Sequence, residues 1–243
     1  MIWPENKDFA FTIVDDTDFA TLSKIKPVYD YLFKNNIITT KTVWTFPSRD
    51  RFTGQCLLDE EYYQFILDLK SKGFEIGIHG IGSGDFNREE IIQGMEIFKN
   101  KLGLYPDLHT NHAINPYNIY WGNSSYHSIL KLYSRIRRSK ENFYGEKTGS
   151  KYFWGDFFKA NIKYIRGKIC DDINTLKFDP EMPFRDKNKK FCNFWFSSSD
   201  GREVLRFNKL LSKENINKLV AEKGLCIVYT HFAKDFVIVP LPI

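Results

Sequence analysis

The stretch Phe9-Ala10-Phe11-Thr12-Ile13-Val14 runs straight into the adjacent carboxylates Asp15 and Asp16, and this junction decides the fold. It reads as a buried strand that ends at a site, because neighbouring carboxylates at such a mouth repel unless a cation or a shared proton relieves them. The pattern recurs with histidine. Phe74-Glu75-Ile76-Gly77-Ile78 delivers His79, and Leu225-Cys226-Ile227-Val228-Tyr229-Thr230 delivers His231. In α/β folds the carboxyl ends of the strands are where sites form.

Working outward, helices alternate with these strands. Val28, Tyr31 and Leu32 recur at helical spacing, and Thr39-Thr40-Lys41-Thr42-Val43-Trp44 follows as a β-branched strand. Asp59 caps a helix carrying Tyr62, Phe65, Ile66 and Leu69, closed by Gly73; Asn87 caps the next, with Ile91, Met95 and Phe98 on one face and Gly103 near its end. Leu108-His109-Thr110-Asn111-His112 then arrives. Residues 113–160 break the rhythm and read as an elaborated segment over the site, a lid or substrate wall. Regularity returns with Lys163-Tyr164-Ile165-Arg166, Phe191-Cys192-Asn193-Phe194-Trp195-Phe196 and a helix capped by Ser212 that ends near Gly224. Alternating units with short crossovers predict a mostly parallel sheet, open or closed into a barrel, in one domain over residues 1–243.

The composition fits a soluble globular chain, with 42% apolar and 27% charged residues, but 22 Phe, 13 Tyr and 5 Trp are unusually many, and most of them are expected in the core. Some of these rings are candidates to stack on sugars. The net charge of +5 is dispersed except where Lys131, Arg135, Arg137, Arg138 and Lys140 gather beside Tyr126, Tyr133, Phe143 and Tyr144, a candidate anion-binding patch or a solvated helix face. Cys56, Cys170, Cys192 and Cys226 lack CxxC spacing, so neither a disulfide framework nor a thiolate zinc site is expected. Met1-Ile2-Trp3-Pro4-Glu5-Asn6 does not resemble a leader, and no apolar run approaches bilayer length, which predicts a cytoplasmic protein.

Four of the five histidines, His79, His109, His112 and His231, lie at or just past predicted strand ends; His127 is the exception. Four imidazoles and two aspartates at one rim predict a divalent transition metal, zinc first, with cobalt, nickel or iron also suited to nitrogen and carboxylate ligands. Asp18 reads as a turn or helix cap. Arg166 and Asp200 are candidate orienting partners, and Trp44 and Trp121 are the preferred rings for a sugar platform.

Thr12-Ile13-Val14-Asp15-Asp16-Thr17 resembles the TFDDG motif of the NodB-homology polysaccharide deacetylases, with Thr17 in place of the glycine. Gly77-Ile78-His79-Gly80-Ile81-Gly82-Ser83 resembles their H-[ST]-x-x-H motif, with the first histidine kept and Ser83 in place of the second. Leu108 to His112 stands where the third motif belongs, and Val228-Tyr229-Thr230-His231 resembles the last. Within the family, Val14-Asp15-Asp16-Thr17-Asp18 and Asn115-Pro116-Tyr117-Asn118-Ile119-Tyr120-Trp121-Gly122 are similar to the WbmS-like branch associated with O-antigen and capsule biosynthesis. The resemblance implies a distorted (β/α) barrel and a metal-dependent hydrolase that removes an N-acyl group from a sugar. It implies Asp15 as general base, His231 as general acid and Asp16 and His79 as metal ligands; His112 or His109, on the adjacent strand end, is expected to complete the set, and Trp44, Trp121, Asn111 and Arg166 are candidates to face the substrate. A nucleotide-linked or lipid-linked glycan is the expected partner, with no nucleic acid and no membrane span.

Two other readings use the same residues. The loss of a histidine at Ser83 fits an inactive saccharide-binding barrel. Asp16-Thr17-Asp18 with Asp171-Asp172 fits, less well, a magnesium-dependent phosphohydrolase.

Overall fold

The computed structural model describes residues 3–121 and 143–237. Seven parallel strands close on themselves: β1 (Ala10–Asp15), β2 (Thr40–Val43), β3 (Glu75–Ile78), β4 (Leu108–His109), β5 (Tyr164–Cys170), β6 (Phe194–Asp200) and β7 (Leu225–Thr230). β1 is the closing strand. It pairs with β7 along its whole length, from Ala10 opposite Leu225 to Asp15 opposite Thr230, and with β2 only at its end, where Val14 faces Thr40. Because every strand runs the same way, all carboxyl ends share one rim.

The alternation read from the sequence is present. Helices α1 (Leu22–Lys34), α2 (Glu60–Ser71) and α3 (Arg88–Leu102) connect the first four strands, and α4 (Gly155–Asn161), α5 (Val204–Leu210) and α6 (Lys213–Ala221) serve the rest. Asn87 forms a capping box with Glu90, Gly103 ends α3 at φ 87°, and Ser212 caps α6 through the Asn215 amide. Two local expectations are corrected. In α1 the buried face is Ile25, Tyr29 and Leu32 while Tyr31 is exposed. Asp59 precedes α2 without capping it, since its carboxylate accepts instead from the Cys56 amide at 2.7 Å.

The core lies between barrel and helices, where Ile13, Ile25, Tyr29, Leu57, Tyr62, Ile66 and Ile78 are buried. All four cysteines are buried thiols. The described flanks of the elaborated segment, 113–121 and 143–160, pack onto the ends of β3 and β4: the Tyr117 hydroxyl donates to the Gly82 carbonyl at 2.6 Å, and the Trp154 indole donates to the Tyr117 carbonyl at 2.7 Å. Gly145 is needed there, because a Cβ would stand 2.2 Å from the Tyr117 oxygen. The basic cluster from Lys131 to Lys140 and His127 lie outside the described residues. Among the described residues no helix is long and apolar enough to cross a membrane.

Candidate metal centre

Alternation along an extended chain sends neighbouring residues to opposite sides, and β1 does this to its two aspartates. Asp15 faces the helix layer. It is fully buried, accepting from Lys41 Nζ at 2.8 Å, the Tyr29 hydroxyl at 3.0 Å and the Phe232 amide at 2.8 Å. Burial alone would lower the Lys41 ammonium, but the Asp15 charge outweighs it and raises it. Asp16 faces the barrel mouth, where both Arg166 terminal nitrogens donate to it, Nη1 at 3.1 Å and Nη2 in a closer contact. Thr110 Oγ1 also donates to Asp16 at 3.2 Å. Burial would raise the Asp16 carboxyl, yet the Arg166 guanidinium holds it below its ordinary value.

Beyond Asp16 the chain leaves the ladder and turns, with the Ala20 amide donating to the Thr17 carbonyl at 3.0 Å. The turn carries Asp18 back over the rim. Its Oδ1 lies 3.1 Å from His112 Nε2 and 3.4 Å from His79 Nε2, and its Oδ2 lies 3.2 Å from His231 Nε2.

The histidine tautomers follow from their other nitrogens. His79 Nδ1 sits 3.1 Å from the Thr110 carbonyl and 2.6 Å from Thr110 Oγ1. A carbonyl only accepts, so Nδ1 carries the proton and Nε2 turns its lone pair toward Asp18. His112 Nδ1 lies 3.3 Å from Asn115 Oδ1 and 3.3 Å from Ser83 Oγ. Asn115 Nδ2 is spent on the Gly82 carbonyl, which fixes Oδ1 as the atom facing His112. His112 Nε2 therefore also points a lone pair at Asp18.

Three potential ligand atoms, Asp18 Oδ1, His79 Nε2 and His112 Nε2, thus meet within 4.8 Å of one another, and with both imidazoles neutral all three are acceptors. Asp18 Oδ1 and His112 Nε2 are buried without a hydrogen-bond partner. Buried acceptors are left unpaired only at a cost, and a divalent cation removes it. One carboxylate oxygen and two imidazole nitrogens, each imidazole held through its far nitrogen, form the usual donor set and outer support of a catalytic zinc site. The residues fit the metal.

Ser83 has a different task from the histidine the resemblance expects. Its hydroxyl donates to the Asp50 carboxylate, 2.7 Å from each oxygen, while its own oxygen faces His112. Asp50 in turn accepts from the Phe52 amide at 2.8 Å, which sets the Phe52 ring 4.7 Å from the His112 ring. Asp50 and Phe52 sit in a loop with no periodic pattern, and only their place after β2 hinted at them.

The remaining sequence candidates divide. His231 joins the cluster, with Nδ1 2.8 Å from the Arg202 carbonyl and Nε2 facing Asp18 Oδ2. Arg166 also joins, stacked 4.3 Å over Tyr229. His109 does not. It is buried against Trp154 and Phe158, and desolvation pushes its imidazole down to about 3, although its Nε2 lies 3.3 Å from Asn111 Oδ1. Asn111 spends its amide on Ile119, donating to its carbonyl and accepting from its N–H. Trp44 is fully buried with its indole on the His79 carbonyl at 3.1 Å, so it backs the site rather than facing ligand, while Trp121 is half-buried and donates to the Ala113 carbonyl. Asp200 pairs with Arg202 and Arg206. Asp171 and Asp172 pair outward with Arg206 and Lys218, so the arrangement does not bring them to Asp16 and Asp18 as the phosphohydrolase reading requires.

No protein-family model and no curated protein matches the chain. Solved structures do. PuuE allantoinase matches over 96% of this chain and 80% of its own, at 11% identity and TM-score 0.53. A protein from Pseudomonas aeruginosa described as a polysaccharide deacetylase matches over 96% and 81%, at 10% identity and TM-score 0.51. A Bordetella bronchiseptica protein described as a polysaccharide deacetylase of O-antigen biosynthesis matches over 95% and 74%, at 13% identity and TM-score 0.43. At identities this low the first two matches show the fold alone: the chain has the closed (β/α) barrel of the polysaccharide deacetylases.

Proposed function

We propose that the protein is a metal-dependent amide hydrolase that removes an N-acyl group from a sugar, acting in the cytoplasm on a nucleotide-linked or lipid-linked precursor of a bacterial surface polysaccharide. The convergence of Asp18, His79 and His112 on one point with unshared lone pairs carries this reading. On it these three residues hold the cation, with Asp18 in the place first given to Asp16, and His112 rather than His109 completing the set. A divalent ion bound there supplies Lewis-acid polarisation of the acyl oxygen and a more acidic water.

The surrounding residues do the rest. Asp16 is ionised at neutral pH, held in orientation by Arg166 and Thr110, with Oδ2 3.6 Å from His79 Nε2. It therefore takes the general-base role in place of Asp15, which is locked by Lys41. His231, anchored through the Arg202 carbonyl on the far side of Asp18, donates the proton from Nε2 to the departing amine. Trp44 and Phe52 wall the ligands and keep bulk water from them.

The test is metal content and amine release on protein purified without affinity-tag metal and then reconstituted. The native chain is expected to take up zinc, cobalt, nickel or iron stoichiometrically. Asp18→Ala is expected to weaken that uptake at least about 100-fold, the upper end of what changes outside the ligand shell cost. Asp16→Ala and His231→Ala are expected to keep the metal and lose roughly 100 to 10,000-fold in turnover of N-acyl sugars. A native protein that takes up no metal sinks the hydrolase. Uptake of metal without turnover leaves a saccharide-binding protein, the reading that the change at Ser83 motivates.

A further inference from the structure

The turn that delivers Asp18 continues into an unusual residue. Phe19 has φ 61°, in the left-handed region that a bulky side chain occupies only under constraint. The constraint is visible. Its amide donates to the Thr53 carbonyl at 2.6 Å, the Gln55 amide donates to the Ala20 carbonyl at 2.7 Å, and the Gln55 side chain accepts from the Leu22 amide at 2.6 Å. Gly54 lets the two loops close on each other: a Cβ there would stand 3.0 Å from the Trp44 ring and 3.3 Å from the Thr17 carbonyl. The result sets the Phe19 ring 5.9 Å from that of Phe52, itself 4.7 Å from His112. Both rings are half-buried, and Phe52 packs on neither hydrophobic cluster.

Each ring carries a cation. The Arg51 guanidinium lies 5.1 Å from the Phe52 centroid, and the Lys234 ammonium lies 5.4 Å from that of Phe19. Among the described residues neither cation has a carboxylate partner within ion-pair distance, whereas nearby Arg49 is paired with Glu90 at 2.7 Å and Arg166 with Asp16. The two tilted rings, 46° apart, offer a sugar apolar surface. Unpaired cations over those rings offer an anion two charge-assisted donors. We propose that Phe19, Phe52, Arg51 and Lys234 form a subsite beside the metal centre for an acidic group, phosphate or carboxylate, carried by the sugar whose acylamino group faces the cation. This rests on the hydrolase reading of the neighbouring cluster and narrows its substrate to anionic N-acyl sugars.

The experiment is calorimetric binding to the metal-reconstituted protein of three probes: N-acetylglucosamine, its phosphate ester at the anomeric carbon, and its uronic acid. At least one acidic probe is expected to bind about tenfold or more tighter than the neutral sugar, as one or two charge-assisted contacts at a partly desolvated site allow. Which acidic probe gains identifies the group. Raising the ionic strength is expected to narrow the ratio in the unaltered protein, and Arg51→Gln with Lys234→Gln to abolish it while the neutral sugar binds as before. Equal affinity for all three probes, no affinity for any, or a preference that survives the double substitution overturns the subsite. Amine release, followed on the same samples, judges the hydrolase separately: an acid preference without release keeps the subsite and removes the hydrolase, and release that ignores charge does the reverse.

Discussion

Asp15 and Asp18 are both buried at the end of one strand, and the protein satisfies them in opposite ways. Around Asp15 every oxygen has a donor and the charge has a fixed counter-ion in Lys41. Around Asp18 one oxygen has no donor, and the imidazoles facing it offer lone pairs instead. A carboxylate with all its partners in place is part of the frame, while one surrounded by acceptors is part of a site. The difference can be broken by substitution, and the largest effect is expected on the frame.

Lys41→Met should destabilise the fold by about 3–5 kcal/mol, because it strands the Asp15 charge in a dry interior, and Asp15→Asn added to it should recover much of that loss. Urea denaturation checks this. Both variants, while folded, should still bind metal; a selective loss of metal without loss of stability would return Asp15 to the site.

His109 sharpens the comparison from the histidine side. It stays neutral in the folded chain down to about 3, while in the unfolded chain it takes a proton near 6.5. Between those values the unfolded state holds the extra proton, so stability falls as pH drops through that window and the loss ceases below it. The slope from this residue is about 1.4 kcal/mol per pH unit. His109→Phe should flatten the stability profile between pH 6 and pH 4 by about that slope and leave metal affinity unchanged, as denaturation and chelator competition will show.

The smallest effect is expected at Ser83. Ser83→Ala removes one of two acceptors for the His112 Nδ1 proton and frees Asp50, which should weaken metal binding about tenfold by chelator competition. An unchanged affinity would assign the orientation of His112 to Asn115 alone.

Much of this was legible in the chain. Apolar runs ending in a polar residue located β1, β3 and β7 and so placed His79 and His231 at the rim, and the cap at Asn87 and the glycine at 103 bounded α3 as read. The choice among Asp15, Asp16 and Asp18 was not legible. The pleat fixes directions only as far as Asp16, whose amide still donates to the Thr230 carbonyl, and Asp18 reaches the centre through a turn held by Thr53 and Gln55 from a distant loop. A cap reading of Asp18 was the local optimum, and tertiary contacts overrode it. The same limit applies to His109 and His112. β4 is two residues long, so His109 remains in the ladder and packs outward on α4, while His112 lies past it and is turned inward by Asn115. Trp44 and Asn111 looked free because sequence does not record burial.

The Asp50 carboxylate, finally, fastens two things at once: through Ser83 it reaches His112, and through the Phe52 amide it holds the loop that frames the mouth. Wall and ligand share one fastening. Any displacement of that loop therefore slackens the support of one imidazole. The place of the loop and the aim of one candidate ligand are in this way written into a single side chain.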